Sequence, residues 1–385
     1  MIPYGTQQIT DADIDAVVGA LRSPMLTQGP LIDEFEQELA AAVGARYAVA
    51  VNSGTAALHA AYFAAGIGPG KSVLTSPITF VATANASLYL GGGADFADVG
   101  AGLPALTAES IGDTRRPAVK ALVPVHFGGH VCEMGALSSL AQSRGWVIIE
   151  DAAHALGARY RVNGAEEFRV GACAHSDMCC FSFHPVKHIT TGEGGAVTTN
   201  SESLYMKLRQ FRTHGITRDE SLLQQHDGPW YYEQHALGFN YRITDFQAAL
   251  GMSQLKRLAE FVARRREIAA RYDIELSGVV DVIAAPDWSV SSYHLYVIRV
   301  AAEHRLEIFN QLRSAGLGVN VHYIPVYNQP FYRDLGFTAG RFPNADRYYS
   351  EAITVPIYPD LTADQVAYVL AQICGAASGR AIHSE

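Results

Sequence analysis

The residue around which chemistry can be organised in this sequence is Lys187. It lies in Cys180-Phe-Ser-Phe-His-Pro-Val-Lys-His-Ile-Thr-Thr-Gly-Glu-Gly-Gly195, after an apolar run that reads as a strand and within a polar, glycine-rich stretch. Taken alone, a lysine in such a loop is more often a solvated cation than a nucleophile. Schiff-base chemistry needs an amine that is neutral part of the time, and desolvation or adjacent positive charge provides this by lowering its pKa. The weight of Lys187 therefore rests on its neighbours and on distant partners.

Glu150-Asp151-Ala-Ala-His154 places an acid directly after the apolar run Trp146–Ile149, so Asp151 is expected to be semi-buried. From spacing alone, a helix-capping aspartate is at least as good a reading. The chemical reading pairs Asp151 with a protonated ring nitrogen, which keeps a heterocyclic cofactor an electron sink. His154, one turn on, lies on the same side and either approaches that ring or serves as a hydrogen-bonded core histidine. In Asn52-Ser-Gly-Thr-Ala-Ala-Leu58 the chain passes from strand to helix through small residues, so free N–H groups and the positive helix end can cradle a phosphate. There Gly54 allows close approach and Thr55 offers a hydroxyl. Ser182 either adds another hydroxyl or is an ordinary polar position in an alternating strand.

These groups have to be positioned by a scaffold. Thr10 with Asp11 and Asp13 reads as a helix start, and Ile32, Phe35 and Leu39 mark a second helix. Strands are expected at Tyr47–Val51, Ser72–Thr75, Val119–Val125, Trp146–Glu150, Cys179–Phe183 and Ala196–Thr199. Helices are expected from Ser53, over Phe80–Leu90 and over Leu137–Ser143. Such alternation predicts an α/β fold with a mainly parallel sheet and helices on both faces, its ligands bound beyond the carboxyl ends of the strands. A long helix is expected from Thr244 to Glu275, with the cluster Arg264-Arg-Arg266 on its solvated face. The remainder reads as a smaller α+β domain: a strand at His294–Val300, a helix at Ala302–Ala315, an extended Val319–Tyr327 and a closing helix at Thr362–Cys374. The division expected is 1–250 for the large domain and 251–385 for the linking helix and small domain.

Composition narrows the classes. With 385 residues, 49% of them hydrophobic and 17% charged, the chain is long enough for two domains and too apolar for disorder. A formal charge of -9 argues against nucleic acid or an anionic membrane as a general partner. The five cysteines lack C-x-x-C spacing, so no disulfide framework and no metal site are expected. Met1-Ile-Pro-Tyr-Gly followed by an acidic amphipathic segment does not read as a signal peptide. No long apolar run exists, and a cytoplasmic location is expected.

Taken in order, Leu26-Thr-Gln-Gly29, Asn52-Ser-Gly-Thr55, Pro77-Ile-Thr-Phe-Val-Ala-Thr-Ala-Asn85, Glu150-Asp-Ala-Ala-His154, Phe181-Ser-Phe-His-Pro-Val-Lys187, Gly192-Glu-Gly-Gly195 and Gly238-Phe-Asn-Tyr-Arg-Ile-Thr-Asp245 resemble the DegT/DnrJ/EryC1/StrS sugar aminotransferases over nearly the whole chain. The resemblance implies pyridoxal 5'-phosphate (PLP) fold type I, the aspartate aminotransferase-like fold. It also implies that Lys187 carries the cofactor as a Schiff base, that Asp151 meets the ring nitrogen and that Phe80 stacks on the ring. Gly54, Thr55 and Ser182 would surround the phosphate, with Asn240 reaching it from the other subunit of a homodimer, and Tyr4, Met25, Leu26, Thr27, His322 and Tyr323 would line the sugar-nucleotide site. Each of these last six also has an ordinary packing or loop role open to it.

Phe181–Lys187, its glycine-rich continuation and Phe211-Arg-Thr-His-Gly-Ile216 are most similar to the pseudaminic acid branch of that family, which aminates C4 of a UDP-linked 4-keto-6-deoxy-N-acetyl-hexosamine with glutamate as donor. His154 stands where many members carry glutamine, and His188 where that branch is expected to be aliphatic. Competing readings are an aminotransferase for a dTDP- or GDP-linked keto sugar, a non-catalytic PLP-binding regulator, and a PLP sugar dehydratase. The last of these replaces the lysine with histidine by resemblance, so Lys187 argues against it. A nicotinamide-binding Rossmann enzyme lacks its G-x-G-x-x-G after the first strand.

Overall fold

The computed structural model describes residues 1–112, 116–164 and 166–377. Seven strands form the main sheet: β1 (Tyr47–Val51), β2 (Ser72–Thr75), β3 (Gly93–Phe96), β4 (Val119–Val123), β5 (Val147–Asp151), β6 (Met178–Ser182) and β7 (Gly195–Thr199). Their order is β1-β7-β6-β5-β4-β2-β3. Only β7 runs against its neighbours, pairing antiparallel with both β1 and β6. The other six therefore end on one side. Apolar runs such as Tyr47-Ala-Val-Ala-Val51 are buried because both faces of such a sheet are covered by helices. The strand β3 was not expected, since Gly93-Ala-Asp-Phe96 lacks β-branched residues and takes its conformation from pairing with β2.

The helices α1 (Asp11–Leu21), α2 (Pro30–Val43), α3 (Gly54–Ala64) and α4 (Ala82–Leu88) follow the expected rhythm. Phe35 and Leu39 of α2 are fully buried, which stabilises the fold by roughly 1.5–3 kcal/mol for each side chain. Helix α3 is buried almost all round, and its Ala56, Ala57, Ala60 and Ala61 allow it to lie close against β6 and β7.

The single helix expected over Thr244–Glu275 is two: α5 (Asp245–Leu255) and α6 (Leu258–Glu275), separated at Lys256 and Arg257. Packing breaks it rather than glycine or proline. The end of α5 is held by Asp13 of α1, which accepts hydrogen bonds from Ser253 (2.7 Å) and the Gln254 side chain (2.9 Å). Helix α6 then turns toward a different core. Its Phe261 belongs to the cluster under the main sheet, whereas Ile268, Ala269 and Tyr272 belong to the cluster of the C-terminal part.

That part contains a three-stranded antiparallel sheet of Asp281–Val282, β8 (Tyr296–Arg299) and β9 (Ala352–Val355), covered by Arg305–Ser314 and Ala363–Ala377. The segment expected to be extended over Val319–Tyr327 ends in a 3-10 turn at Val326–Asn328. Ile2–Pro3 pairs in parallel with Leu317–Gly318, so the amino terminus packs with the C-terminal part and delivers Tyr4 to the crevice. A hairpin of Arg159–Val162 and Glu166–Arg169, joined by Ser289–Val290, also escaped the sequence reading, because its alternation is carried largely by charged residues. No helix among the described residues is long and apolar enough to cross a membrane.

Arg264-Arg-Arg266 departs from the expectation of a solvated face. Arg265 is 1% exposed, and its Nη1 donates to the carbonyls of Tyr293 (3.2 Å), His294 (3.4 Å) and Ile357 (2.8 Å). Arg264 donates to the Leu361 carbonyl and Arg266 to the Ser291 carbonyl, each at 2.7 Å. All three bind the helix to neighbouring backbone. Their spacing conceals this, because carbonyl acceptors leave no mark in the sequence.

Candidate active site

The carboxyl ends of β1, β2, β5 and β6 open into a cleft of about 870 Å³, closed on the far side by the segment Asn320–Tyr323. This volume falls within the range of small-molecule sites. Its lining includes Tyr4, Gly54, Thr55, Phe80, Asp151, His154, Ser182, Lys187, His322 and Tyr323, ten of the residues singled out from sequence. Residues more than 300 positions apart thus converge.

One wall is an anion cradle. Ser53 caps α3 by accepting from the Ala56 N–H at 3.1 Å, which presents the first turn of the helix to the cleft. A Cβ on Gly54 would lie 2.8 Å from Ser182 Cβ, and one on Gly195 would lie 2.5 Å from the Ser53 carbonyl. Only glycine permits this approach. Ser182 and Thr55 bring hydroxyls to the same wall.

The floor is acidic. Asp151 ends β5 at 5% exposure and accepts from the Thr83 hydroxyl at 2.7 Å and the Ala153 N–H at 3.2 Å. Burial pushes its carboxyl above the usual range, against the opposing pull of these two bonds and of Lys187 and His126. Such a buried carboxylate calls for a cationic donor. Thr83 was not singled out, although it lies in the quoted segment Pro77–Asn85, four residues after Thr79, whose hydroxyl bonds it at 2.7 Å.

Lys187 follows β6, and its Nζ lies 3.3 Å from His294 Nε2. Burial pushes its amine down to about 8; Asp151 opposes this and Arg265 assists it. His154 is uncharged, held well below its ordinary value by burial and by nearby Lys187. The Gly128 N–H donates to His154 Nδ1 at 3.3 Å, so the ring proton sits on Nε2 and faces the Tyr323 hydroxyl at 3.1 Å. Tyr323 therefore keeps its own proton for a ligand. Phe80 stands over the cleft at 58% exposure. His184 also lines it, whereas His188 is buried away from it, with Nε2 donating to the Ser292 carbonyl at 3.1 Å.

Four predicted residues do not line this cleft within one chain. Met25, Leu26 and Thr27 are exposed, and Thr27 bridges Thr244. Asn240 is exposed too. Its backbone nonetheless touches the rim, where its carbonyl accepts from the Asn52 amide at 3.4 Å.

The donor set fits PLP: a phosphate-sized cradle at a helix start, a buried carboxylate at the floor, an aromatic ring above and an amine of depressed pKa between them. A parallel α/β sheet with this constellation at its strand ends defines a PLP-dependent enzyme of fold type I. Comparison with known proteins agrees. The model of the DegT/DnrJ/EryC1/StrS aminotransferase family matches residues 7–374, and the chain belongs to that family. It is 39% identical over 377 residues to the spore coat polysaccharide biosynthesis protein SpsC of Bacillus subtilis, covering 96% of this chain and 95% of that one. It is 38% identical over 376 residues to a UDP-4-amino-4,6-dideoxy-N-acetyl-beta-L-altrosamine transaminase of Campylobacter jejuni, covering 96% of each. A Streptococcus pneumoniae structure in its PLP form superposes with a TM-score of 0.89 at 28% identity, over 98% of this chain and 99% of that one. The protein is an aminotransferase, and pyridoxal 5'-phosphate is its cofactor.

Proposed function

We propose that the enzyme transfers an amino group from glutamate to C4 of a UDP-linked 4-keto-6-deoxy-N-acetyl-hexosamine, a reaction of pseudaminic acid-type nucleotide-sugar synthesis. The observation that carries this reading is the placement of Lys187 and Asp151 in one cleft, in a chain 38% identical to a transaminase whose name specifies that class of UDP-sugar.

The bound cofactor supplies an electron sink for the carbanion that amino transfer requires. The chain does the rest. Lys187 would hold the cofactor and, when free of it, would carry the proton to and from the substrate carbon, which requires its amine to stay within hydrogen-bond reach of that carbon. Asp151 holds the ring nitrogen, Phe80 and His154 bracket the ring, and Gly54, Thr55 and Ser182 bind the phosphate. Tyr4, His322 and Tyr323 bound the side of the cleft where the sugar nucleotide enters. Met25, Leu26, Thr27 and Asn240 act on the site of the partner in a homodimer. In support, the same segments leave large apolar side chains exposed, including Met25 (43%), Leu26 (46%), Leu237 (79%) and Phe239 (38%).

The test is incubation of purified enzyme with PLP, glutamate and a panel of UDP-, dTDP- and GDP-linked 4-keto sugars, followed by mass and NMR analysis. A 4-amino sugar formed from the UDP substrate, with stoichiometric 2-oxoglutarate, is expected. Preference for dTDP- or GDP-sugars would overturn the substrate assignment, and failure to deaminate glutamate would favour a non-catalytic role.

A further inference from the structure

His294 was not among the residues singled out, and it is the only side chain described in hydrogen-bond contact with the Lys187 amine. It is 4% exposed, and its Nε2 lies 3.3 Å from Lys187 Nζ. Its other nitrogen, Nδ1, is buried and has no hydrogen-bond partner among the described residues. From behind, buried Arg265 grips the carbonyls of Tyr293 and His294 and fixes where the ring projects. No carboxylate pairs with this guanidinium among the described residues.

An uncharged imidazole carries one N–H, so the two nitrogens have opposite roles. If Lys187 is an ammonium, it donates to Nε2 and the ring proton must sit on Nδ1, as a buried donor with no acceptor. If Lys187 is a neutral amine, its lone pair lets Nε2 carry the proton and donate to Nζ, which leaves Nδ1 a bare acceptor. An orphaned N–H is the less tolerated of the two. The contact therefore favours the neutral amine.

We propose that His294 is a positioning residue for Lys187: it receives the amine whenever the lysine is not bonded to the cofactor and, with Arg265 behind it, holds that amine in its neutral form. This rests on the reading of Lys187 as the cofactor lysine. In a transamination cycle the lysine leaves the cofactor and must come back as a base and then as a nucleophile, so a fixed resting place keeps it competent. The other groups facing the amine agree with this assignment. Asp151 faces it from β5 and favours the charged form, whereas Arg265 of α6 disfavours it. Burial keeps His154, His188, His294 and His322 uncharged.

The test uses the full-length, cofactor-free protein. Competitive acetylation across pH 7–11, read by mass spectrometry on the peptide carrying Lys187 with exposed Lys256 as internal standard, gives the titration of the amine. Glutamine in place of His294 puts an amide where Nε2 stood. By rotating, it accepts from an ammonium as readily as it donates to an amine, so the bias is lost while the contact remains. His294→Gln is expected to raise the inflection by about one pH unit. An unchanged inflection would overturn the assignment. A second measurement does not depend on that variant folding. With ¹⁵N-labelled histidine, the His294 nitrogens should exchange protonated and bare roles as Lys187 titrates, and Lys187→Met should abolish the exchange. Its persistence in Lys187→Met would also overturn the proposal. Borohydride reduction of the holoenzyme separates the two readings: cofactor fixed to a lysine other than Lys187 sinks the cofactor-lysine reading itself, whereas fixation on Lys187 leaves the acetylation result to judge His294 alone.

Discussion

Asp151→Asn separates charge from structure at the floor of the cleft. In the native protein the Thr83 hydroxyl donates to Asp151 Oδ2 at 2.7 Å, and the Phe80 carbonyl lies 3.2 Å from the same hydroxyl. An asparagine at 151 can still accept from the Ala153 N–H. Its amide can donate to the Thr83 oxygen, and the hydroxyl proton then turns to the Phe80 carbonyl. At most one hydrogen bond is lost, worth about 1 kcal/mol, which shifts Tm by only about 1 °C in a chain of 385 residues, given about 2.1 cal/mol/K of unfolding entropy per residue. The neutral amide, however, gives up the charge-assisted bond to the ring nitrogen. At about 1.5–3 kcal/mol for that bond, and about 1.36 kcal/mol per tenfold in rate, turnover should fall by roughly 10- to 150-fold. The assays are kcat/KM for 2-oxoglutarate formation from glutamate in the presence of the keto-sugar acceptor and thermal unfolding of the cofactor-free protein, run side by side. Because Asp151 favours the charged form of Lys187, the lysine in this variant should titrate below the native value of about 8. Near-native turnover would refute the reasoning and show that another acid supports the ring. Loss of folding with the rate per folded molecule unchanged would make Asp151 structural only.

Three further outcomes follow from the same geometry. With its amine lowered to about 8 by burial, Lys187 should be about half neutral at pH 8, against roughly 0.3% for an ordinary lysine. Its acetylation rate in the cofactor-free protein should therefore rise through pH 8 and level off above it; an inflection near the ordinary lysine value would remove the case for a desolvated amine. Gly54→Ala adds a Cβ 2.8 Å from Ser182 Cβ and 3.1 Å from its Oγ, so the cradle must shift. Overpacking of this kind costs about 1–3 kcal/mol, and PLP affinity measured by fluorescence titration should fall about tenfold or more with the fold retained. Native affinity would mean that the phosphate binds elsewhere. Finally, mixing inactive Asn240→Ala chains with inactive Lys187→Ala chains should restore partial activity, because a mixed dimer has one site with both residues intact. A fully active isolated monomer would rule out the shared site.

The sequence by itself determined the strand and helix rhythm of the large sheet and the direction in which its strands end. Runs such as Tyr47–Val51 can be covered only on both faces, and a parallel sheet collects the loops that follow its strands. For that reason the segments carrying Gly54, Phe80 and Asp151 could be placed in one crevice from their positions after strands. Tertiary structure decided the features that depend on contacts between distant segments. The break at Lys256 and Arg257 exists because Asp13 anchors one helix while the next packs on a second core, and no residue at the break announces it. Thr83 and His294 acquire their roles from what faces them, a carboxylate 68 positions away and an amine 107 positions away. Arg265 looked like a solvated cation because a charged side chain on a helix usually is one. It is buried because three backbone carbonyls converge on its guanidinium, and backbone acceptors are the same for every residue type, so only the folded chain reveals where they point.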